Sequence, residues 1–227
     1  MTRDKLRHQF EKIKKSSSPE GLRFGRKTSR MGATGYFTHP QCMKHEMGRG
    51  HPECPERLSA IEDRLLITGL DMALERREAG PAALADIELA HGRMHVAALR
   101  GLSDNLRDDM AAGGPSHAAL DSDTSINLHT WEAALLSAGA AIEATDAVMA
   151  GELENAFCAT RPPGHHACRD KAMGFCFFNN VAIAAKHAVE RHGLKRVAIV
   201  DFDVHHGNGT EDIIANDERV LMVSIFQ

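Results

Sequence analysis

Residues 197–210, VAIVDFDVHHGNGT, constrain this chain more than any other segment. A short β-branched run that ends in a glycine-rich turn predicts a buried strand, and side chains along a strand alternate between its faces. Asp201, Asp203 and His205 are therefore expected on one side, at the C-terminal end of that strand. Open parallel α/β sheets place ligand sites at this edge. Because carboxylate and imidazole together suit Zn²⁺, the segment favours a metal or catalytic site over a strand end with solvated polar residues.

A second segment, 161–167 (RPPGHHA), places two histidines on a loop after another apolar run. Its prolines end regular structure, and its glycine frees the backbone just before the histidine pair. His165 and His166 can then face one cavity with different partners, and Asp201 and Asn208 are available. An aspartate partner pushes an imidazole towards its charged form, whereas a neutral asparagine leaves it nearer its ordinary pKa. The histidine paired with asparagine is therefore the better general base.

Five motifs stand in order along the chain. They are HPECPERL at 51–58, DSDT at 121–124 with WEAA at 131–134, RPPGHHA at 161–167, GFCFFNN at 174–180 and DFDVHHGNGT at 201–210. Together they resemble the histone deacetylase / acetylpolyamine amidohydrolase family, and its bacterial class II-like members in particular. The resemblance implies an α/β fold of the arginase/deacetylase type, a single parallel sheet flanked by helices, with the C-terminal part missing. It also implies a zinc-dependent hydrolase that removes acetyl groups from acetylated lysine side chains of proteins or from acetylated polyamines.

The resemblance implies ligands for two kinds of ion. Asp203 and His205 match two of the three zinc ligands of the family. Asp201, Asp203, His205, Ser224 and Ile225 match an inner potassium site. Residues that match a second, outer potassium site are Ile214, Asp217 and Val220.

The resemblance also implies roles in catalysis and substrate binding. His166 would be the general base, oriented by Asn208, and His165 would give electrostatic support through its pairing with Asp201. These partners are the kind of group whose loss weakens activity strongly. Residues expected to form the wall and the rim of a substrate tunnel are Phe175, Gly174, Ser122 and Asp121.

The chain also departs from the family pattern. Family members continue well beyond residue 227, and their third zinc ligand and a transition-state tyrosine or histidine lie downstream. Tyr36, the only tyrosine, stands in an expected N-terminal strand and does not match that role. Because catalytic zinc usually has three protein ligands, we expect an incomplete deacetylase, weakly active or inactive if the chain truly ends there. A non-catalytic pseudo-deacetylase or acetyl-ligand-binding module is the alternative, and the RPPGHHA and GFCFFNN motifs disfavour an arginase-like manganese hydrolase.

Charge divides the chain into two parts. Residues 1–31 carry ten Lys and Arg against three Asp and Glu, whereas the whole chain has a net charge of −4. We expect 1–31 to be a basic flexible tail, with a nucleic-acid-binding arm or a transit peptide as alternatives, and 32–227 to be the N-terminal portion of one catalytic domain. The acidic body weakly favours a cationic substrate. No membrane or nucleic-acid partner is expected, and a homo-oligomer stays open.

Smaller features complete the predictions. Five cysteines without a CxxC pair indicate a reduced cytoplasmic protein, and Cys42, His45, His51 and Cys54 are a minor candidate for structural zinc. Arg161 is either loop scaffold or an acetate-channel residue. Histidines without a partner spacing, interpreted as surface or helix-cap residues, are His91, His95, His117, His129, His187 and His192. Periodicity predicts helices over 55–69, 94–106, 131–149, 177–193 and 210–215, and strands over 35–38 and 220–225.

Overall fold

The computed structural model describes residues 32–227, which form an α/β fold; the tail expected at 1–31 lies outside the described residues. The strands are β1 (Thr34–Thr38), β2 (Leu74–Glu78), β3 (Ala118–Ala119), β4 (Ser125–Ile126), β5 (Asn155–Cys158), β6 (Val197–Asp201) and β7 (Val220–Ser224). The helices are α1 (Glu56–Thr68), α2 (Leu84–Ile87), α3 (Arg93–Ala111), α4 (Thr130–Met149), α5 (Asn180–Glu190) and α6 (Asn208–Ile214), with 3₁₀ turns at Pro40–Met43 and Leu70–Ala73.

The longer strands pair in parallel. β1 lies between β2 and β5, β6 pairs with β7, and only the two-residue strands β3 and β4 are antiparallel. Helix α4 packs on β5 and on α5, and α5 packs in turn on β6. The predicted fold class, parallel strands flanked by helices, is confirmed, although hydrogen bonds divide these strands into two groups. Both groups end near the loops that carry the sequence motifs.

One face of the β6–β7 pair is uncovered within residues 32–227. Ile199 and Val220 are buried, whereas Val200, Leu221 and Val223 are exposed. The sequence predicts burial on both faces because these runs lack apolar–polar alternation. The structure differs from this prediction because the apolar side chains on one face of the pair remain exposed. An uninterrupted apolar run does not by itself show whether one face or both faces of a strand are buried.

Helix ends follow local sequence rules at two positions. α1 ends before Gly69, whose φ of 70° is left-handed backbone that glycine adopts without steric cost. Asn179 caps α5, and its Oδ1 accepts the N–H of Ala182 at 3.1 Å. Because of this cap, α5 begins later than the predicted helix over 177–193. Phe177 and Phe178 precede the cap and fill the core instead.

Buried histidines support the packing around α5. His91, His95 and His187 are buried, so their interpretation as surface residues is wrong, although His187 does lie in the last turn of α5. His91 Nε2 accepts the backbone N–H of Asn179 at 2.8 Å, which leaves its Nδ1–H to donate to the Arg169 carbonyl at 3.2 Å. Tertiary packing buries these rings, and the spacing of single histidines in a sequence carries no information about it.

We predict that the free energy of unfolding falls in mild acid because His91 is protonated less readily in the folded chain than in the unfolded chain. Burial, and then the neighbouring His95, lower the pKa of His91 to about 4. The unfolded chain takes up this proton near pH 6.5 and the folded chain only near pH 4, so the contribution of His91 should decline as pH falls through this window, by about 3 kcal/mol. Urea unfolding across the window should show a shallower pH dependence in His91→Gln than in the native protein. The exposed control His129→Gln should keep the native slope, and an equal slope in His91→Gln would refute the assignment.

Candidate active site

An open cavity of about 630 Å³ lies at the carboxyl end of β6. Among the residues that line it are His165 and His166 from the loop after β5, and Asp201, Asp203 and His205 from β6 and the turn that follows. The structure therefore brings these sequence-predicted residues together. Their distance in the sequence means that only the tertiary fold creates the site.

The two adjacent histidines have different hydrogen-bond partners. His165 Nδ1 lies 2.9 Å from Asp201 Oδ2, and His166 Nδ1 lies 2.6 Å from Asn208 Oδ1. Since an amide oxygen only accepts, Nδ1 of His166 carries the proton and Nε2 keeps a free lone pair. Burial lowers the pKa of His166, and the nearby imidazoles of His165 and His205 lower it further, against the opposing effect of the Asn208 bond. His166 is therefore neutral near pH 7 and able to accept a proton.

Left-handed backbone forms the cavity wall beside His166. Gly174 has a φ of 56° and Phe175 a φ of 69°. A Cβ at position 174 would lie 2.6 Å from Cδ2 of His166, so glycine leaves room for the imidazole. The strained Phe175 is held by its N–H, which donates to Thr124 Oγ1 at 3.1 Å, and by edge contact with His51 at 4.6 Å between ring centroids. Residues from three motifs thus fix this aromatic wall.

The loop at 121–124 presents a different residue from those expected. Asp123 lines the cavity, whereas Asp121 and Ser122 are exposed and lie outside its lining. Asp121 Oδ1 accepts the N–H groups of Asp123 and Thr124 at 3.1 and 2.6 Å, which folds the loop. Substrate contacts for Asp121 and Ser122 stay predictions. Sequence reasoning missed Asp123, although an aspartate followed two residues later by another is a common turn pattern.

Asp203 and His205 lie beyond the end of β6, which stops at Asp201. The N–H of Asp203 donates to Asp201 Oδ1 at 3.1 Å, and the N–H of His205 donates to Asp203 Oδ1 at 2.8 Å. These side-chain hydrogen bonds shape the backbone after the strand. The expectation that alternation along one strand brings the three residues together is therefore wrong. The side chains of Asp203 and His205 are 49% and 73% exposed, with 3.1 Å between Asp203 Oδ1 and His205 Nδ1. A carboxylate and an imidazole this close have the donor chemistry that suits Zn²⁺, so the assignment of Asp203 and His205 as metal ligands stays a prediction.

The residues expected for the inner potassium site also meet. Asp201 and Ser224 lie opposite each other in the β6–β7 pair, and the N–H of Ile225 donates to the Asp201 carbonyl at 3.0 Å. Ser224 Oγ is buried and has no hydrogen-bond partner among residues 32–227, which is the state of a group that a water or cation would satisfy. A separate cavity of about 470 Å³ is lined by the residues expected for the outer site, namely Ile214, Asp217 and Val220.

A buried ion pair anchors the histidine loop. Nε and Nη2 of Arg161 donate to Oε1 and Oε2 of Glu53 at 2.5 and 2.6 Å, and Nη1 donates to the carbonyls of Cys42 and His45 at 3.0 and 2.8 Å. Burial alone would raise the pKa of Glu53, but its contacts with His45 and Arg161 outweigh burial and lower it. The pair is therefore ionised. Of the two roles open for Arg161, the structure supports loop scaffold.

Of the four residues considered for structural zinc, Cys42, His45, His51 and Cys54, the two histidines have other partners. His45 Nδ1 lies 2.9 Å from Thr130 Oγ1, and His51 Nε2 lies 3.0 Å from the Asp123 carbonyl. Over residues 32–227, one group of three His, Cys or acidic side chains brings its donor atoms within 4.8 Å of one another, and it lies elsewhere, at Asp146, His187 and His192. All five cysteines are free.

Comparison with known proteins identifies the family. A model described as the histone deacetylase domain matches residues 51–227. The chain belongs to the histone deacetylase family. It is 45% identical over 178 residues to the histone deacetylase-like amidohydrolase of Pseudomonas aeruginosa, which covers 78% of this chain and 44% of that protein. It is 40% identical over 177 residues to the human polyamine deacetylase HDAC10, which covers 76% and 26%.

A solved structure agrees with this assignment. The crystal structure of the HDA15 HD domain matches with a TM-score of 0.76 and 33% identity, over 86% of this chain and 55% of that chain. The chain spans less than half the length of the two curated relatives named above. It is thus a member of a family of deacetylases and amidohydrolases, with the parallel α/β fold of that family. No helix between residues 32 and 227 is both long and apolar enough to cross a bilayer.

We predict that Glu53→Gln is strongly destabilising. The variant keeps the shape of the side chain but leaves the buried Arg161 guanidinium without a carboxylate, which costs about 3–5 kcal/mol of unfolding free energy. The matched control is Asp104→Asn, which breaks the exposed pair with Arg107 and should cost no more than about 1 kcal/mol. Urea unfolding of the three proteins measures both effects. Equal losses in the two variants would show that the buried pair is not an anchor.

Proposed function

We propose that this chain carries the general base, its supporting histidine and two zinc ligands of an amidohydrolase that removes acetyl groups from acetylated amines. The observation that carries the proposal is the position of His166, a neutral imidazole with a free Nε2, in the same cavity as the Asp203–His205 pair. A base beside a carboxylate–imidazole pair that can hold a metal is part of the arrangement that metal-assisted amide hydrolysis uses.

Each of these side chains would have a distinct role in the reaction. Asp203 and His205 would hold Zn²⁺, which when bound polarises the amide carbonyl and acidifies the attacking water. His166 would take a proton at Nε2 from that water and pass it to the leaving amine. Asn208 would keep the ring in the Nδ1–H tautomer, and His165 would support the developing charge. The proposal requires a third metal donor besides Asp203 and His205, and His45 and His51 are poor candidates because they have other partners.

The cavity suits a substrate with a slender methylene chain. Phe175 offers an apolar wall next to the base, and Asp123 and Arg57 bring one charge of each sign to the lining. An acetylated lysine side chain and an acetylated polyamine share a methylene chain that such a wall can contact, and only the polyamine carries further positive charge that Asp123 would attract. The human relative is named a polyamine deacetylase, and we propose that both substrate classes be tested.

The direct test combines metal content with turnover. Zinc stoichiometry and hydrolysis of an acetyllysine peptide and an acetylated polyamine would be measured for the 227-residue chain and for the longest reading frame that contains it. The proposal expects zinc-dependent release of acetate from at least one of these proteins. If the longest form binds zinc and the acetylated ligand but releases no acetate, the chain belongs to a non-catalytic acetyl-ligand-binding protein.

We predict that substitution of His166 lowers turnover more than substitution of His165. In the active form, His166→Ala removes the base and should lower kcat by about 10²- to 10⁴-fold, whereas His165→Ala should lower it less. Neither substitution removes Asp203 or His205, so zinc content should stay at the native value in both. The exposed control His129→Ala should retain native kcat. Native turnover in His166→Ala would refute its role as the base.

We propose that potassium binds beside Asp201 and Ser224 and predict that it stabilises the fold. The unpartnered Ser224 hydroxyl would gain a partner, and a ligand that binds only the folded state raises the unfolding temperature. The melting temperature should be higher in potassium chloride than in tetramethylammonium chloride of equal ionic strength. Ser224→Ala should abolish this difference and the exposed control Ser59→Ala should not. The same difference in Ser224→Ala would place the ion elsewhere.

A further inference from the structure

Two histidines and an aspartate meet at the ends of α4 and α5, among residues that do not line the active-site cavity. His187 Nε2 and His192 Nε2 lie 2.7 and 2.6 Å from the same oxygen, Oδ1 of Asp146. Asp146 is on the last turn of α4, His187 on the last turn of α5, and His192 just after it. His187 lies seven residues from the start of α5, which is about 10 Å along the helix axis from the end that faces the histidine loop.

The environment of His187 is unusual for a hydrogen-bonded histidine. Its side chain is 8% exposed, and within the described part of the chain its Nδ1 has no hydrogen-bond partner, although Asp86 Oδ1 lies 3.6 Å away. In a neutral ring whose Nε2–H donates to Asp146, Nδ1 presents a lone pair to the Asp86 carboxylate, and either a second ring proton or a cation at Nε2 removes that repulsion. That contact is unfavourable in a buried position.

A metal ion at Nε2 would remove this conflict. With Nε2 bound to the ion, the ring proton moves to Nδ1, where it points at the Asp86 carboxylate. A carboxylate behind a metal-bound histidine is the usual way in which proteins fix the ring and its tautomer. Asp86 is itself held in place, since Nε and Nη2 of Arg191 donate to its Oδ1 at 3.1 and 3.0 Å.

The donor atoms are close enough to share one ion. All three lie within 4.8 Å of one another, and Asp146 and His192, with side chains 47% and 26% exposed, have room to rotate outward. Two imidazoles and one carboxylate suit Zn²⁺ or another late first-row divalent ion and do not suit Ca²⁺ or Mg²⁺, which prefer oxygen alone. The exposure of Asp146 leaves a further coordination position open to water.

We propose that Asp146, His187 and His192 form a second metal site, which binds a zinc-type divalent ion and joins α4 to α5. Asp86 is a positioning residue of this site, and through it the ion also holds α2. The ion is remote from the histidine pair and takes no part in the acetyl-transfer chemistry. The ion stabilises the packing of α4 against the end of α5 that lies away from the active-site cavity.

The test uses a protein whose proposed catalytic ligands have been removed. In tag-free Asp203→Ala/His205→Ala, titration with Zn²⁺ against a chromogenic chelator should show one bound equivalent, and Co²⁺ should give a visible absorption band. Adding Asp146→Asn or His192→Gln, both at partly exposed positions, should abolish that equivalent. Adding Asp86→Asn should weaken the affinity by about 10- to 100-fold. The control His129→Gln should bind as before.

Thermal melting gives a second readout. Zn²⁺ should raise the melting temperature of the double variant, and this rise should disappear with Asp146→Asn, whose fold is checked by its melt in chelator. The proposal is wrong if the double variant binds no Zn²⁺ at about 100 μM, or if Asp146→Asn and His192→Gln bind it unchanged. Either result would leave the cluster as an ion-pair and hydrogen-bond network, and neither depends on whether the active-site cavity is catalytic.

Discussion

The pair between Arg161 and Glu53 holds the site together. Both side chains are almost inaccessible to solvent, and both oxygens of the carboxylate are used by the guanidinium. A buried ion pair does not by itself make a protein more stable than an apolar contact would, because both charges lose their hydration. It does specify geometry, since any displacement of the histidine loop would leave a charge buried and unpaired. The shape of that loop therefore depends on one interaction between distant motifs.

A second set of contacts fixes the other end of the loop. The Asn179 amide donates to the Ala167 carbonyl and to Thr210 Oγ1, both at 3.1 Å, and the N–H of Thr210 donates to the His165 carbonyl at 3.1 Å. His91 in turn accepts the N–H of Asn179. The loop has little regular secondary structure of its own, so these bonds replace a strand or helix as its support. Fixed at both ends, the loop can hold two imidazoles in one cavity with different partners.

Much of this arrangement could be predicted from sequence where the relevant residues are close together. The strand leading to Asp201, the loop with two histidines and the stop of α1 at Gly69 all follow from local patterns. The availability of Asp201 and Asn208 as partners also followed, because each stands in a short motif. β2 was missed because its sequence, LERRE, is mostly charged and has no apolar period.

The contacts that could not be predicted join residues far apart in the chain. Glu53 and Arg161 are 108 positions apart, and the sequence around either residue does not indicate the other as its partner. The same holds for Asp146 with His187 and His192, which meet only because α4 and α5 pack together. Asp203 and His205 line one cavity with Asp201, but strand alternation is not the reason, since β6 ends at Asp201 and side-chain hydrogen bonds follow it.

The central claim is that His166 is a neutral base whose Nε2 is free. The most direct measurement is imidazole ¹⁵N NMR of the labelled protein near pH 7.5, with His166→Gln used to assign its resonances. The account predicts a neutral ring with the proton on Nδ1 and an unprotonated Nε2, because Asn208 Oδ1 accepts the Nδ1–H bond. A His166 ring that is protonated on Nε2 at this pH would contradict it.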